Sequence, residues 1–248
     1  MPNPQYDQRF FDYVNAGAER SARKILPLLA PLEVRSVLDV GSGQGAWLSV
    51  WKELGVDDVA GLDGDYVDRD RLKIPAGQFV AADLGAQFDL RRQFDLVQCL
   101  EVAEHLPKAS AGSLVESLTR HSDIVLFSAA AKGQGGEDHI NEQSYDYWRE
   151  LFAKHDFVVL DYIRPIILHE QSIEPWYKYN SFVYVRRARL DVLPSEMRET
   201  LVSNEQKLKD ISPVPYRIRK ALVRLLPVPA VSMLSRLRIA MLVKRTAT

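Results

Sequence analysis

The chain has 248 residues, 46% of them hydrophobic and 26% charged, with a formal net charge of −1. That is enough apolar material for one large domain with a sizeable core, and it excludes a disordered or collagen-like chain. A charge near zero gives the molecule as a whole no bulk attraction for nucleic acid.

The charge is unevenly spread. Residues 211–248 hold Arg217, Arg219, Lys220, Arg224, Arg236, Arg238, Lys244 and Arg245 and no acid, so this segment is +8 and the preceding residues balance it at −9. Such a segment suits an acidic body or an anionic lipid surface. Cys99 is the single cysteine, so no disulfide forms within the chain, which fits a reducing compartment. The start, "MPNPQYDQRF", lacks a basic region followed by an apolar core, and no uncharged apolar run approaches the ~20 residues needed to span a bilayer. A cytoplasmic protein is expected, with peripheral contact at the inner membrane face through residues 216–245 as an option.

In chain order, residues 6–30 predict an amphipathic helix, with Phe10, Tyr13, Val14, Ile25, Leu28 and Leu29 near helical spacing and Pro31 helping to close it. Strand and helix patterns then alternate. "SVLDV" (36–40), "DVAGLD" (58–63), "QFVAAD" (78–83), "FDLVQCL" (94–100), "DIVLFSA" (123–129), "FVVLDYI" (157–163) and "SFVYVRRA" (181–188) read as strands. "AWLSVWKELG" (46–55), "AGSLVESLTRH" (111–121) and "SYDYWRELFAKH" (144–155) read as helices. The alternation predicts an α/β fold with a mostly parallel sheet covered on both faces. No helix is evident between the last two strands, so one of them is expected to run antiparallel. Near Arg189 the strand signal ends. Residues 1–190 are expected to form the main domain, and 191–248 a basic, proline-punctuated helical extension.

"VLDVGSGQGAWL" (37–48) places Gly41, Gly43 and Gly45 between a strand and a helix, where backbone can turn sharply and approach a ligand. Asp63 ends the next strand, twenty residues after Gly43, where an acid can accept both hydroxyls of a ribose. With Asp39 and Asp83, three acids sit at consecutive strand ends, the edge at which open α/β sheets bind ligands.

The order "VLDVGSGQG … GLD … AADL … FDLVQCLEVAEHLP" resembles the class I S-adenosylmethionine-dependent methyltransferases over about residues 30–190. The resemblance implies a Rossmann-like, seven-stranded sheet with a reversed last strand, and S-adenosyl-L-methionine as cofactor. It places Gly41, Gly43 and Gly45 along the methionine part of that cofactor, with Asp39 beside them. Asp63 would hold the ribose, Asp83 and the backbone at Leu84 the adenine, and Glu101 would face the methyl group. The N-terminal helix, residues 1–30, would cap the pocket, with Tyr6 and Tyr13 used either in helix packing or as closing groups.

"LEVAEHLP" (100–107) sets Glu101, Glu104 and His105 at offsets of three and four, one face of a helix or turn. Two carboxylates and an imidazole suit Mg²⁺, Mn²⁺ or Zn²⁺ if a fourth group arrives, and His139, in the loop after the fifth strand, is the candidate. E-x-x-E-H with a later His is similar to the metal site of small-RNA 2′-O-methyltransferases, which ionise a sugar hydroxyl. Three readings stand: a metal site of Glu101, Glu104, His105 and His139; metal-free acid–base use of Glu101, His105 or His139; and packing, because many metal-free members of the family share the segment. The loop 129–140 reads as a lid or an ordinary flexible loop, Trp176, Tyr177 and Asn180 as core packing or an acceptor platform, and Cys99 as a core residue. The leading expectation is O-methylation of a sugar, glycan or natural-product hydroxyl. The alternatives are RNA 2′-O-methylation, disfavoured by the acidic body, and a non-catalytic cofactor-binding scaffold at a membrane surface.

Overall fold

The computed structural model describes residues 8–245, with side chains from residue 14 to residue 236. Tyr6 and the side chain of Tyr13 lie outside that description. All seven expected strands form, the first two with the expected bounds and the other five trimmed: β1 (Ser36–Val40), β2 (Asp58–Asp63), β3 (Phe79–Ala81), β4 (Leu96–Leu100), β5 (Ile124–Ser128), β6 (Phe157–Leu160) and β7 (Phe182–Arg186). They make one sheet in the order β3-β2-β1-β4-β5-β7-β6, with β7 antiparallel to both neighbours and the other pairs parallel.

Neighbouring residues of a strand point to opposite faces, and here both faces are apolar. On one side Val37, Leu96, Leu100, Leu126 and Val183 pack with α1 (Gln8–Ile25) and α2 (Ala46–Glu53), including Trp47 and Trp51. On the other, Leu38, Val97, Cys99, Val125 and Phe127 pack with Leu114 and Leu118 of α3 (Ala111–His121) and with Trp148 and Phe152 of α4 (Tyr145–Ala153). The N-terminal helix ends sooner than its pattern suggests. Leu26–Leu32 winds as a 3-10 helix because Pro27 and Pro31 have no N–H to continue the α ladder.

The connection between β6 and β7 is not a plain loop. It contains α5 (Ile163–Ile167) and α6 (Pro175–Asn180), each too short to leave a readable periodicity. The region past residue 190 also rejoins the body, after a 3-10 turn at Arg187–Val192. The short α7 (Ser195–Arg198) is followed by Leu201, which bridges antiparallel to Leu160 on the edge strand. Leu193 and Met197 join one core and Leu208 the other. Two helices follow, α8 (Val214–Val223) and α9 (Val228–Arg245). No described helix is long and apolar enough to cross a membrane.

Arg164 ties these late segments together. Its guanidinium is fully buried, grips Asp161 through two 2.7 Å bonds, donates to the carbonyls of Tyr179 and Lys209, and lies 3.9 Å from the Phe182 ring centre. Removing one partner of a buried pair strands the other, so Arg164→Ala should cost about 3–5 kcal/mol in denaturant unfolding. Arg164→Lys should recover only part of this, because an ammonium cannot reproduce the fork.

Candidate active site

The sheet order reverses between β1 and β4, and the loops leaving those strands frame the crevice in which open α/β sheets bind ligands. Gly41, Gly43 and Gly45 follow β1 with φ of 82°, 52° and 83°, a region that side chains other than glycine rarely adopt. A Cβ on Gly41 would lie 2.2 Å from Cγ2 of Val102, so glycine here lets the turn touch the loop after β4. Gly43 faces open space.

Asp39 is buried at 3% exposure, paired across the strands with Gln98. Trp51 Nε1 donates to Gln98 Oε1 at 2.9 Å, which leaves the Gln98 amide group beside the Asp39 carboxyl, although outside strict hydrogen-bond geometry. Burial pushes the Asp39 carboxyl up to about 7, against the pull of Gln98 and with a smaller push from Asp63. Asp63 accepts from Gly43 N at 2.7 Å, Gly64 N at 2.6 Å and Tyr66 Oη at 2.5 Å. It therefore clamps the glycine turn, and the Tyr66 hydroxyl occupies a further acceptor position of the carboxylate. Asp83 is exposed and caps its own turn through Gly85 N, while Leu84 beneath it is buried.

Glu101 takes a left-handed conformation, φ 56°, costly for a side chain this large and held by two bonds from its N–H to Ser128, one to the carbonyl and one to Oγ. Its carboxyl accepts from Gln134 Nε2 at 2.9 Å and Asn180 Nδ2 at 3.2 Å, and Asn180 also donates to Gln134 Oε1. Tyr145 Oη donates to Asn180 Oδ1 at 2.9 Å. Burial pushes Glu101 above the usual carboxylate range; Asn180, Gln134 and Ser128 pull it back.

Glu104 is fully buried. One carboxyl oxygen accepts from Ala130 N at 3.1 Å, and the other has no hydrogen-bond partner in the protein. Burial first, and the Glu101 charge second, hold this carboxyl well above its ordinary range. Glu104, His105 and His139 each aim one ligand atom within 4.8 Å of the others, and the two imidazoles meet edge to face. The outer edge of His105 is exposed, yet desolvation and the His139 ring hold its pKa below the usual imidazole range, so it is neutral at pH 7. The Glu142 carboxylate accepts from His139 Nδ1 at 3.0 Å, which orients Nε2 as the free lone pair. Glu142 also accepts from Gly133 N and Gly135 N, and Asn141 ties the loop to residues 103 and 104. Glu101 stands beside this trio, held by its amides, and is not one of the three converging ligands. A buried carboxyl with one unpartnered oxygen, grouped with two imidazoles, fits a divalent cation, and the open space at Gly43 fits a closely approaching cofactor.

A family model described as "Methyltransferase domain" matches residues 13–162. The chain belongs to the class I S-adenosylmethionine-dependent methyltransferases. Solved structures agree with this methyltransferase fold. The sugar N-methyltransferase KedS8 from Streptoalloteichus sp ATCC 53650 aligns with a TM-score of 0.53 at 19% identity, covering 69% of this chain and 87% of that one. The methyltransferase domain of bacterial CtHen1-C aligns with a TM-score of 0.51 at 19% identity, covering 67% and 97%. CalS10, an amino pentose methyltransferase from Micromonospora echinaspora with bound S-adenosylmethionine, aligns with a TM-score of 0.51 at 16% identity, covering 75% and 99%. Against DesVI of Streptomyces venezuelae the methyltransferase spans just over half the relative's length, 55%. A search of the curated proteins finds no match.

Sequence reasoning missed Gln134, Ser128, Tyr145 and Glu142, which orient Glu101 and His139. Their only signal was polarity in a glycine-rich loop and at strand and helix ends. Asn180 was read with its aromatic neighbours as core packing or an acceptor platform. Tyr177 packs its ring edge-on against Trp47, with centroids 5.0 Å apart, in keeping with the core reading.

A raised carboxyl pKa stabilises the fold where the group is protonated. The Asp39 contribution is thus complete below the unfolded value near 3.8 and is lost as pH rises through about 7. Over that window the wild-type protein, free of cofactor, should lose up to about 4 kcal/mol more stability than Asp39→Asn, read from thermal midpoints between pH 4.5 and 8.

Proposed function

We propose that the methyltransferase transfers a methyl group to a hydroxyl of a sugar, glycan or related natural product, with a divalent cation held by Glu104, His105 and His139. The observation that carries this reading is the buried Glu104 carboxyl, one oxygen without a donor, grouped with two imidazoles beside Glu101. Nitrogen acceptors need little activation, whereas a hydroxyl must lose its proton. A cation on these ligands would lower the pKa of a hydroxyl bound to it. Glu101, with its carboxyl raised and its orientation set by Gln134 and Asn180, is the group to receive that proton.

S-adenosylmethionine supplies a methyl group already activated on a sulfonium. The chain's own part is to orient it. In this reading the Gly41–Gly45 turn and Asp39 line the methionine part, Asp63 takes the ribose hydroxyls, and Asp83 with Leu84 borders the adenine. The acceptor has a route of its own. A cavity of about 240 Å³ reaches His139 and is walled by Gly136, Glu142, Val223 and Val231.

Metal analysis of the purified protein should find a bound transition metal or Mg²⁺, and a chelator should abolish turnover reversibly. Glu104→Ala and His139→Ala should each lower kcat by about 10²- to 10⁴-fold with cofactor affinity retained. Full activity in chelator, or turnover on amino sugars or RNA alone, would sink the reading. For the cofactor, calorimetry should show Asp63→Ala weakening binding by about tenfold or more, the worth of one lost charge-assisted hydrogen bond. Tyr66→Phe should leave binding equal or tighter, because the ribose no longer displaces a hydroxyl.

A further inference from the structure

Helix α8 shows an arrangement that the methyl-transfer reading does not use. Val214, Ile218, Leu222 and Leu225 recur every three or four residues along α8 and the turn after it. They form one stripe, and it faces solvent: the four are 56%, 56%, 61% and 81% exposed. At about 100° per residue, Arg217 and Arg224 lie on one flank of that stripe and Arg219 on the other. The opposite face seats the helix on the body. Lys220 is buried against Asp210, and Tyr216 packs on Tyr179. Exposed apolar side chains recur along the chain past the helix, in Leu226 and Val228, 43% and 50% exposed, and in Met233 and Leu234 at 57% and 51%.

We propose that α8 and the turn that follows it dock flat on an anionic bilayer surface. The order of side chains around the helix is that of an interfacial helix, apolar in the middle and arginine at both boundaries, where a long side chain can reach a phosphate while its stem stays in hydrocarbon. The charge fits the same occupant. Residues 211–248 carry eight basic residues and no acid, in a protein whose net charge is −1. Arg219 and Arg224 bond to the carbonyls of Gln134 and Lys132, which are neutral acceptors. Leu226 and Val228 belong to the exposed surface and also line the cavity that reaches His139. Docked this way, the cavity opens onto the lipid. On the functional reading above, the acceptor is then an amphiphile, a hydroxyl-bearing head on an apolar anchor.

The test is co-sedimentation of the full-length protein with vesicles of phosphatidylcholine alone or mixed with phosphatidylglycerol. Binding to the mixed vesicles is expected, weakening toward ~1 M salt, where the screening length falls to about 3 Å. The double variant Ile218→Asp, Leu222→Asp should bind about tenfold more weakly or worse, because it removes the inserted apolar area. Arg217→Glu should weaken binding to the mixed vesicles. All these side chains are exposed, so thermal midpoints and S-adenosylmethionine affinity should stay unchanged. Cofactor affinity needs no lipid, so it separates failure of docking from failure of the methyltransferase reading. The proposal is overturned by absence of binding to mixed vesicles or by binding that the double variant leaves intact. It is equally overturned by light scattering that shows a dimer which the double variant splits, since the stripe would then be a contact between two copies of this chain.

Discussion

Asp39, Glu101 and Glu104 set the terms of this site, because three carboxyls are withdrawn from water at the ends of two adjacent strands. Each is driven toward its protonated form by burial. The surroundings answer each one differently. Asp39 has the Gln98 amide, itself oriented by Trp51. Glu101 has two side-chain amides from Gln134 and Asn180. Glu104 has one backbone N–H and an oxygen left over, in a carboxyl grouped with two histidines. Of these three carboxyls, Glu104 is the one with a buried oxygen that no hydrogen bond satisfies, which leaves room there for a cation or a proton.

The connections past β5 exist in large part to hold that arrangement. Glu142 gathers Gly133, Gly135 and His139, and Asn141 fastens the same loop to the segment carrying Glu104. Gly136 leaves space for the imidazole: a Cβ there would sit 2.1 Å from His139 Nε2. The C-terminal helices then close over the loop. Arg219 and Arg224 bond to its carbonyls, Ser232 Oγ accepts from Asp138 N, and Arg236 pairs with Glu137. Part of the charge asymmetry between tail and body is therefore consumed inside the molecule, at Lys220–Asp210 and Arg236–Glu137. What remains outward on α8 is its apolar stripe with arginines along the edges.

The central sheet was legible because its signals are local. β-branched runs, glycines after β1 and an acid closing β2 each depend on a few neighbouring residues. Helices α5 and α6 were not legible, since five or six residues cannot display a 3.6-residue period. The return of Leu201 to the edge of β6 was hidden for a similar reason: a single bridge carries no alternation.

The candidate site divides along the same line. The sequence by itself determined the glycine turn, the acids at the strand ends and the E-x-x-E-H segment, because each is a short motif whose geometry follows from the strand it terminates. Only the tertiary structure decided that His139 reaches Glu104 and His105 while Glu101 turns to Gln134 and Asn180. That choice depends on the left-handed backbone at Glu101 and on a contact spanning 79 residues, from Glu101 to Asn180. It also decided which face of α8 is buried. The helical pattern shows that an apolar stripe exists, but Lys220 and Tyr216, packed on Asp210 and Tyr179, are what turn that stripe outward.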